Sequence, residues 1–287
     1  MSSSSTGGNN SSSQYSAELA FALTLAERAD AISLSRYQAL DLEITTKPDN
    51  SPVTDADKAV ERAIIDAIAA QYPSDGVVGE EFGTSGSRGS KDRYWVIDPI
   101  DGTKNFLRGV PTWATLIALV ENEQVVTSVV SSPALYRRWY ATAGGGAFVS
   151  EGVSNSEGAA GASNNVVTRQ LSVSKVSDIK DASIAYSDFQ GWGARRANFE
   201  KLLDGAWRTR GLGDFWSHML VAEGAVDVAI EPSLALWDMA ALDLIVREAG
   251  GKFTSLEGVD GPFGPNAISS NGALHSAIVA ALNNEGK

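Results

Sequence analysis

The sequence contains no cysteine, and only two of its 287 residues are histidines, His218 and His275. The absence of cysteine excludes disulfides, thiolate metal sites and cysteine nucleophiles, and it is compatible with a reducing cytoplasm. Two histidines are too few for a histidine-rich transition-metal site. Any bound metal would therefore be held mainly by oxygen ligands.

Basic residues are also scarce. The chain has 23 Lys and Arg against 35 Asp and Glu, for a formal net charge of -12. A protein this acidic is poorly suited to bind nucleic acid or an anionic membrane surface. The charge favours a cation, or a substrate that carries a cationic group, as the binding partner. No apolar run reaches the roughly 20 residues of a membrane-spanning helix.

The hydrophobic pattern predicts a tail followed by one domain with two halves. Residues 1–14 are rich in Ser, Gly and Asn, lack the features of a signal peptide and are predicted to be disordered. Residues 15–287 are predicted to fold as a single domain. Its first half, to about residue 170, mixes helices with a run of strands, whereas strands and helices alternate over 171–287. A cleft between the halves is the natural place for a site.

Individual elements follow from periodicity. Apolar residues three and four apart predict helices over 22–32, 54–70, 194–203, 214–224, 237–251 and 275–284. Strands are predicted at 77–81, 94–97 and on both sides of the polar turn 121–123. The low-complexity stretch Ser150–Asn165 is predicted to be an exposed loop.

The most informative segment is YWVIDPIDGTKNF, residues 94–106. It opens as a buried strand and then places Asp98 and Asp101 three residues apart, with Pro99 expected to end the strand. Two carboxylates at close range repel each other unless a proton or a cation lies between them. Mg²⁺ suits such a place, with carboxylates, a backbone carbonyl such as that of Ile100, and phosphate oxygens as ligands.

Gly102 and Thr103 follow these aspartates and are expected to open a short helix. Free amides at a helix start bind anions, and Gly102 has no side chain to block a phosphate. The hydroxyl of Thr103 would orient a water molecule. The segment thus predicts a site for both a cation and a phosphoryl group. The alternative explanation is an ordinary solvated Asp-Gly turn.

Three further carboxylates accompany this motif. Glu80 ends a predicted strand, Asp57 lies in TDAD, and Asp238 opens a predicted helix. Each also has an ordinary explanation, since Thr54-x-x-Asp57 fits a capping box and an acid in a first helical turn favours the helix dipole.

Taken together, four segments resemble the inositol monophosphatase family of Mg²⁺-dependent phosphatases. They are SPVTDAD (51–57), GEE (79–81), DPIDGTKNF (98–106) and WDMAA (237–241). The resemblance implies an α/β fold, a layered α-β-α-β-α sandwich shared with fructose-1,6-bisphosphatase-like proteins. It also implies a homodimer.

The resemblance further implies two or three Mg²⁺ ions per site, for which Mn²⁺ can substitute. The matching metal ligands are Glu80, Asp98, the carbonyl of Ile100, Asp101 and Asp238. Asp57 and Thr103 match the residues that orient the attacking water, and together with Glu80 they form the implied catalytic set. Lys47 lies in the loop TTKPDNSP, where it would steer phosphate or simply remain solvated.

The second half resembles actinobacterial histidinol-phosphate phosphatases of this family. Here Gly213-Asp214-Phe215-Trp216 stands where inositol phosphatases have small residues. Carboxylates would hold the amine and imidazole of histidinol. The expected substrate-binding residues are Glu80, Asp101, Gly102, Thr103, Asp188, Arg210, Asp214, Glu231 and Asp238.

The aromatic residues of this region allow two interpretations. Trp216 or Trp192 would stack on the imidazole of the substrate by a cation–π contact. Alternatively, Phe215, Trp216 and Met219 are core residues of an amphipathic helix. His218, in the same predicted helix, is expected to pack and not to bind a ligand.

Three functions remain open from the sequence. The first is hydrolysis of L-histidinol phosphate to L-histidinol and phosphate, a step of histidine biosynthesis, by a metal-activated water. The second is inositol monophosphatase activity, or hydrolysis of another small phosphate ester, by the same chemistry. The third is a non-catalytic partner of RNA polymerase or the ribosome. The intact set of metal-ligand residues and the acidic charge argue against it.

Overall fold

The computed structural model describes residues 14–48, 51–85, 93–152 and 166–284. The helices in this part of the chain are α1 (Ser16–Arg36), α2 (Asp55–Gln71), α3 (Thr103–Arg108), α4 (Arg196–Asp204), α5 (Asp214–Ala222), α6 (Leu236–Glu248) and α7 (His275–Leu282). The strands are β1 (Ile44–Thr46), β2 (Pro52–Thr54), β3 (Gly76–Gly79), β4 (Gly83–Ser85), β5 (Arg93–Asp101), β6 (Ala114–Glu121), β7 (Gln124–Ser132), β8 (Arg137–Thr142), β9 (Gly146–Glu151), β10 (Val167–Gln170), β11 (Ser183–Tyr186), β12 (Arg208–Gly211), β13 (Val228–Glu231), β14 (Lys252–Thr254) and β15 (Ala267–Ser270).

The larger sheet has eight strands in the order β10-β9-β8-β7-β6-β5-β3-β4. Adjacent strands in this sheet run antiparallel, except that β3 and β5 are parallel. Helices cover both faces of this sheet. Successive side chains of a strand point to opposite faces, so neighbouring residues pack against different helices. Trp95 and Ile97 of β5 pack against α1 and α2, whereas Val96 faces the core formed with α5 and α6.

The smaller sheet has five strands in the order β12-β11-β13-β15-β14. Strands β12, β11 and β13 are parallel, and β15 joins β13 in antiparallel register. Phe199 of α4 and Ile278 of α7 pack on one face. The other face meets the α5 and α6 layer, as Phe253 of β14 shows. The layers are therefore helix, sheet, helix, sheet, helix, which confirms the predicted sandwich.

One local expectation about the strand that carries the aspartates is wrong. Pro99 does not end β5, which continues to Asp101 with a bulge between Asp98 and Asp101. A bulge accommodates a residue without an amide hydrogen. The carbonyl of Pro99 still accepts a hydrogen bond, from the hydroxyl of Thr115 at 2.8 Å.

Two expectations fall partly outside the described residues. All but one residue of the predicted N-terminal tail lies outside them, as do residues 153–165 of the predicted loop. Ser150 and Glu151 belong to β9, so the loop expectation does not hold for them. Within the described ranges, no helix combines the length and the apolar character needed to cross a bilayer.

Candidate active site

Three carboxylates converge where the larger sheet meets the central helices. Asp98, Asp101 and Asp238 each place an oxygen within 4.8 Å of the others. Residues three apart on a regular strand point to opposite faces, so the bulge in β5 is what brings Asp98 and Asp101 to one side. The first turn of α6 supplies Asp238.

These carboxylates lack a cationic partner, and Asp98 and Asp101 are buried. Asp98 is 1% exposed and Asp101 is 9% exposed, and in the described part of the chain neither they nor Asp238 forms an ion pair with Lys or Arg. Burial and the neighbouring acids raise the pKa of Asp98 and Asp101 well above the ordinary value. Burial raises the pKa of Asp238 to about 6. Burial is the larger cause of the raised pKa values, and repulsion from the neighbouring acids adds to it.

Backbone amides hold each carboxylate in place. Asp98 Oδ1 accepts from the amide of Ile100 at 3.0 Å, and Asp101 Oδ2 accepts from that of Phe215 at 2.6 Å. Asp238 Oδ2 accepts from the amide of Ala235 at 2.7 Å. An oxygen-only donor set that is positioned but lacks positive charge fits a divalent cation of the Mg²⁺ type.

Glu80 lies directly after β3 and is paired with a lysine. Lys47 Nζ is 2.7 Å from Glu80 Oε1 and 2.5 Å from Glu81 Oε1. Burial alone would lower the pKa of Lys47, but hydrogen bonds to both glutamates raise it. Burial raises the pKa of Glu81 to about 7, against the opposing effect of Lys47. Lys47 is therefore not a solvated loop residue, because it binds the acids at the edge of the site.

Asp57 serves both the helix cap and the site. Its Oδ2 accepts from the amide of Thr54 at 2.8 Å and from its hydroxyl at 2.5 Å, so the predicted capping box is present. Its Oδ1 faces the hydroxyl of Thr103 at 3.4 Å. That hydroxyl also lies 3.0 Å from the carbonyl oxygen of Ile100. Capping occupies only one carboxylate oxygen, so both roles are compatible.

Gly102 precedes α3 in a conformation that favours glycine, with φ at 81°. A Cβ at this position would lie 3.0 Å from the carbonyl oxygen of Thr112 and 3.3 Å from Asp214 Oδ2. Gly102 therefore allows Asp214 to approach the end of β5 closely.

A second acidic group lies at the N-terminus of α5. Asp214 Oδ2 accepts from Asn105 Nδ2 at 3.1 Å. The amide of Asp214 donates to Ser187 Oγ at 3.1 Å, and Ser187 Oγ donates to Glu231 Oε1 at 2.6 Å. Glu231 is 3% exposed, and burial raises its pKa to about 8. We call Asp214, Ser187 and Glu231 the acidic pocket.

Two predicted substrate residues do not join either group. Asp188 is exposed, and its Oδ1 accepts from the amide of Gln190. Arg210 is exposed on the edge strand β12 and donates to the carbonyl of Thr209. Within the described ranges, neither side chain forms a hydrogen bond or ion pair with the acidic residues of the site.

The expectation that Trp192 stacks on a substrate is wrong. Trp192 is 4% exposed and lies face to face with Phe199, with ring centroids 3.6 Å apart. Trp216 packs against Trp139, with centroids 5.8 Å apart. Phe215 is buried in the same core. Phe215 is therefore a core residue, and Trp216 packs half-buried against the same core.

His218 is also a packing residue, as expected. It is 1% exposed, and its Nδ1 lies 2.6 Å from Ser269 Oγ.

Three residues that contact the site were not among the predicted site residues. Glu61, four positions after Asp57 in α2, is on the same buried helix face, and this spacing was an available signal. Asn105 lies within the DPIDGTKNF motif itself. Ser187 had no local signal, because the parallel pairing of β11 with β13 brings it to Glu231.

Comparison with known proteins is consistent with this geometry. The model of the inositol monophosphatase family matches residues 14–287. A Mycobacterium tuberculosis protein described as histidinol-phosphatase is 51% identical over 268 residues, covering 93% of this chain and 98% of that protein. A Streptomyces coelicolor protein of the same description is 48% identical over 275 residues, covering 94% and 98%.

The fold agrees with solved structures as well. A Thermotoga maritima IMPase superposes with a TM-score of 0.78 at 29% identity, covering 93% of this chain and 97% of that one.

Proposed function

The chain belongs to the inositol monophosphatase family, and we propose that it is a histidinol-phosphatase. The reaction is hydrolysis of L-histidinol phosphate to L-histidinol and phosphate, a step of histidine biosynthesis. The observation that carries the choice of substrate is the acidic pocket beside the carboxylate cluster. The relatives at 51% and 48% identity bear the same description.

The cluster would hold two or three Mg²⁺ ions, or Mn²⁺ in their place. The residues that would bind them are Glu80, Asp98, the carbonyl of Ile100, Asp101 and Asp238. Bound divalent cations neutralise phosphate charge and lower the pKa of the attacking water.

The protein's own groups orient the reactants. Thr103 and Asp57 face each other across 3.4 Å, so a water molecule between substrate and Thr103 can pass its proton toward Asp57 Oδ1. Burial raises the pKa of Asp57, which favours holding that proton. The amides of Gly102 and Thr103 would donate hydrogen bonds to the phosphate oxygens.

The acidic pocket selects the alcohol. Histidinol carries an amine and an imidazole, and either can donate a charge-assisted hydrogen bond to Glu231 or Asp214. A neutral polyol such as inositol cannot form a charge-assisted hydrogen bond with either acid, so it gains less from binding here. This argues for histidinol phosphate over inositol phosphate. The cluster of three aspartates that could bind a divalent cation argues against a purely non-catalytic role.

The remaining properties are proposals of the same kind. Family membership supports a homodimer, which light scattering coupled to gel filtration would test. The lack of cysteine agrees with a cytoplasmic location.

The decisive experiment is to measure phosphate release in parallel from histidinol phosphate, inositol 1-phosphate and glycerol phosphate, with and without Mg²⁺. We expect the highest kcat/KM on histidinol phosphate and no turnover without a divalent cation. A preference for inositol phosphate would overturn the assignment of substrate and leave the metal chemistry in place.

A further inference from the structure

Glu61 is a buried acid that contacts the backbone and not a cation. It lies in α2 with 0% exposure. Its Oε2 accepts from the amide of Glu81 at 2.8 Å, and its Oε1 accepts from the amide of Phe82 at 2.9 Å. In the described part of the chain no Lys or Arg forms an ion pair with it. A buried carboxylate of this kind is costly unless its hydrogen bonds compensate.

The same carboxylate also fits against the residue before Glu80. A Cβ added at Gly79 would lie 2.1 Å from Glu61 Oε1. Gly79 is fixed by its pairing with Ile97 of β5, and the amide of Glu80 lies 3.3 Å from the carbonyl oxygen of Ile97. The segment Gly79–Phe82, which includes Glu80, therefore curves around the Glu61 carboxylate.

We propose that Glu61 is a positioning residue, which holds the segment Gly79–Phe82 so that the carboxylate of Glu80 faces the metal cluster. Two charge-assisted hydrogen bonds to successive amides fix the backbone on the C-terminal side of Glu80, and the close contact at Gly79 fixes it on the other side. This inference rests on the proposed function, in which Glu80 is a metal ligand. Partners of ligand residues set metal affinity by orienting the ligand.

The test is Glu61→Gln, which keeps the size of the side chain. Its carbonyl oxygen can accept only from one amide, and its NH₂ group faces the other amide hydrogen. We expect the Kd for Mn²⁺, measured by electron paramagnetic resonance on the folded protein without substrate, to rise about 10-fold. At saturating Mn²⁺, kcat and KM for histidinol phosphate should stay within about 2-fold of the unmutated values.

Asp227→Asn is the matched control. Asp227 is also buried, at 6% exposure, and also accepts from a backbone amide, that of Ser183 at 2.6 Å. It lies before β13, at the opposite end of that strand from Glu231. Loss of this charge-assisted hydrogen bond to the amide of Ser183 should lower the melting temperature without changing the Mn²⁺ affinity.

Two more variants make the outcome decisive. Gly79→Ala forces the Glu61 carboxylate to move and should weaken Mn²⁺ binding without changing Glu61 itself. In a Glu80→Gln background, Glu61→Gln should have little further effect. Unmutated Mn²⁺ affinity in both Glu61→Gln and Gly79→Ala, or a full additional loss in the Glu80→Gln background, would overturn the proposal.

Failure of the proposed function would look different. An unmutated protein that binds Mn²⁺ but releases no phosphate from histidinol phosphate would refute the assigned reaction. The comparison of Mn²⁺ affinities would still decide the role of Glu61.

Discussion

Replacing Glu231 by Gln should impair hydrolysis of histidinol phosphate in a pH-dependent way. Glu231 is 3% exposed and accepts a hydrogen bond from the hydroxyl of Ser187. A cationic amine placed against it would form a charge-assisted bond worth about 1.5–3 kcal/mol. Gln retains the shape and one acceptor but not the charge.

The pH dependence follows from the pKa of about 8 that burial gives Glu231. At pH 7 most of the ligand-free protein carries a protonated Glu231, and ionising it costs about 1.4 kcal/mol. At pH 8.5 that cost falls to about 0.2 kcal/mol. The net penalty of Glu231→Gln in kcat/KM should therefore grow from about 1- to 15-fold at pH 7 to about 10- to 100-fold at pH 8.5, an increase of roughly 8-fold. Bound divalent cations would lower this pKa, so the increase is an upper value.

The assay compares unmutated and Glu231→Gln enzymes at each pH with saturating Mg²⁺. Titration of the phosphate group of the substrate cancels in the ratio of the two enzymes, because both act on the same group. Glycerol phosphate, which has no cationic group, is the control and should show a small penalty at both values of pH. An equal penalty on both esters would mean that Glu231 supports the metal cluster. A penalty on histidinol phosphate that decreases as the pH rises would refute the argument from the buried, protonated acid.

Four further outcomes are expected. Removing divalent cations with EDTA should stop turnover, and added Mg²⁺ or Mn²⁺ should restore it; full activity after chelation would exclude the metal mechanism. Asp98→Asn should nearly abolish turnover while the melting temperature, followed by circular dichroism, stays equal or rises, because burial and repulsion raise the pKa of this acid in the metal-free protein. Deleting residues 1–13 should change neither activity nor melting temperature, since Tyr15 and Glu18 tie the start of α1 to Glu121 and Arg93; a large loss of either would refute this. Burial lowers the pKa of His218 to about 4, so protonation of this residue favours the unfolded state. The free energy of unfolding should therefore fall by about 3 kcal/mol as the pH drops from above the unfolded pKa of about 6.5 toward 4. Urea unfolding of His218→Gln should show a flatter dependence on acid pH.

The fold and the cluster could be predicted because their signals are local. The apolar run at residues 94–97 of β5 and the helical stripes of α1 and α2 reflect surfaces buried against neighbouring layers. The bulge in β5 was not predictable from Pro99, because a proline can end a strand or be accommodated within it, and pairing with β6 decides which. Trp192 illustrates the same limit, since only the packing of α4 on the smaller sheet places it against Phe199.

Helix α5 links the two parts of the site. The amide of Phe215 donates a hydrogen bond to Asp101 in the cluster. The amide of Asp214 donates to Ser187 in the acidic pocket. The aromatic residues that fix this helix, Phe215 and Trp216, pack against Trp139 of the larger sheet. A shift of α5 would therefore disturb the cluster and the pocket together, whereas a change at Glu231 touches the pocket alone. Truncating Trp216 to Ala should accordingly reduce kcat/KM on histidinol phosphate and glycerol phosphate by similar factors, in contrast to Glu231→Gln, and a loss confined to histidinol phosphate would show that Trp216 meets the substrate after all.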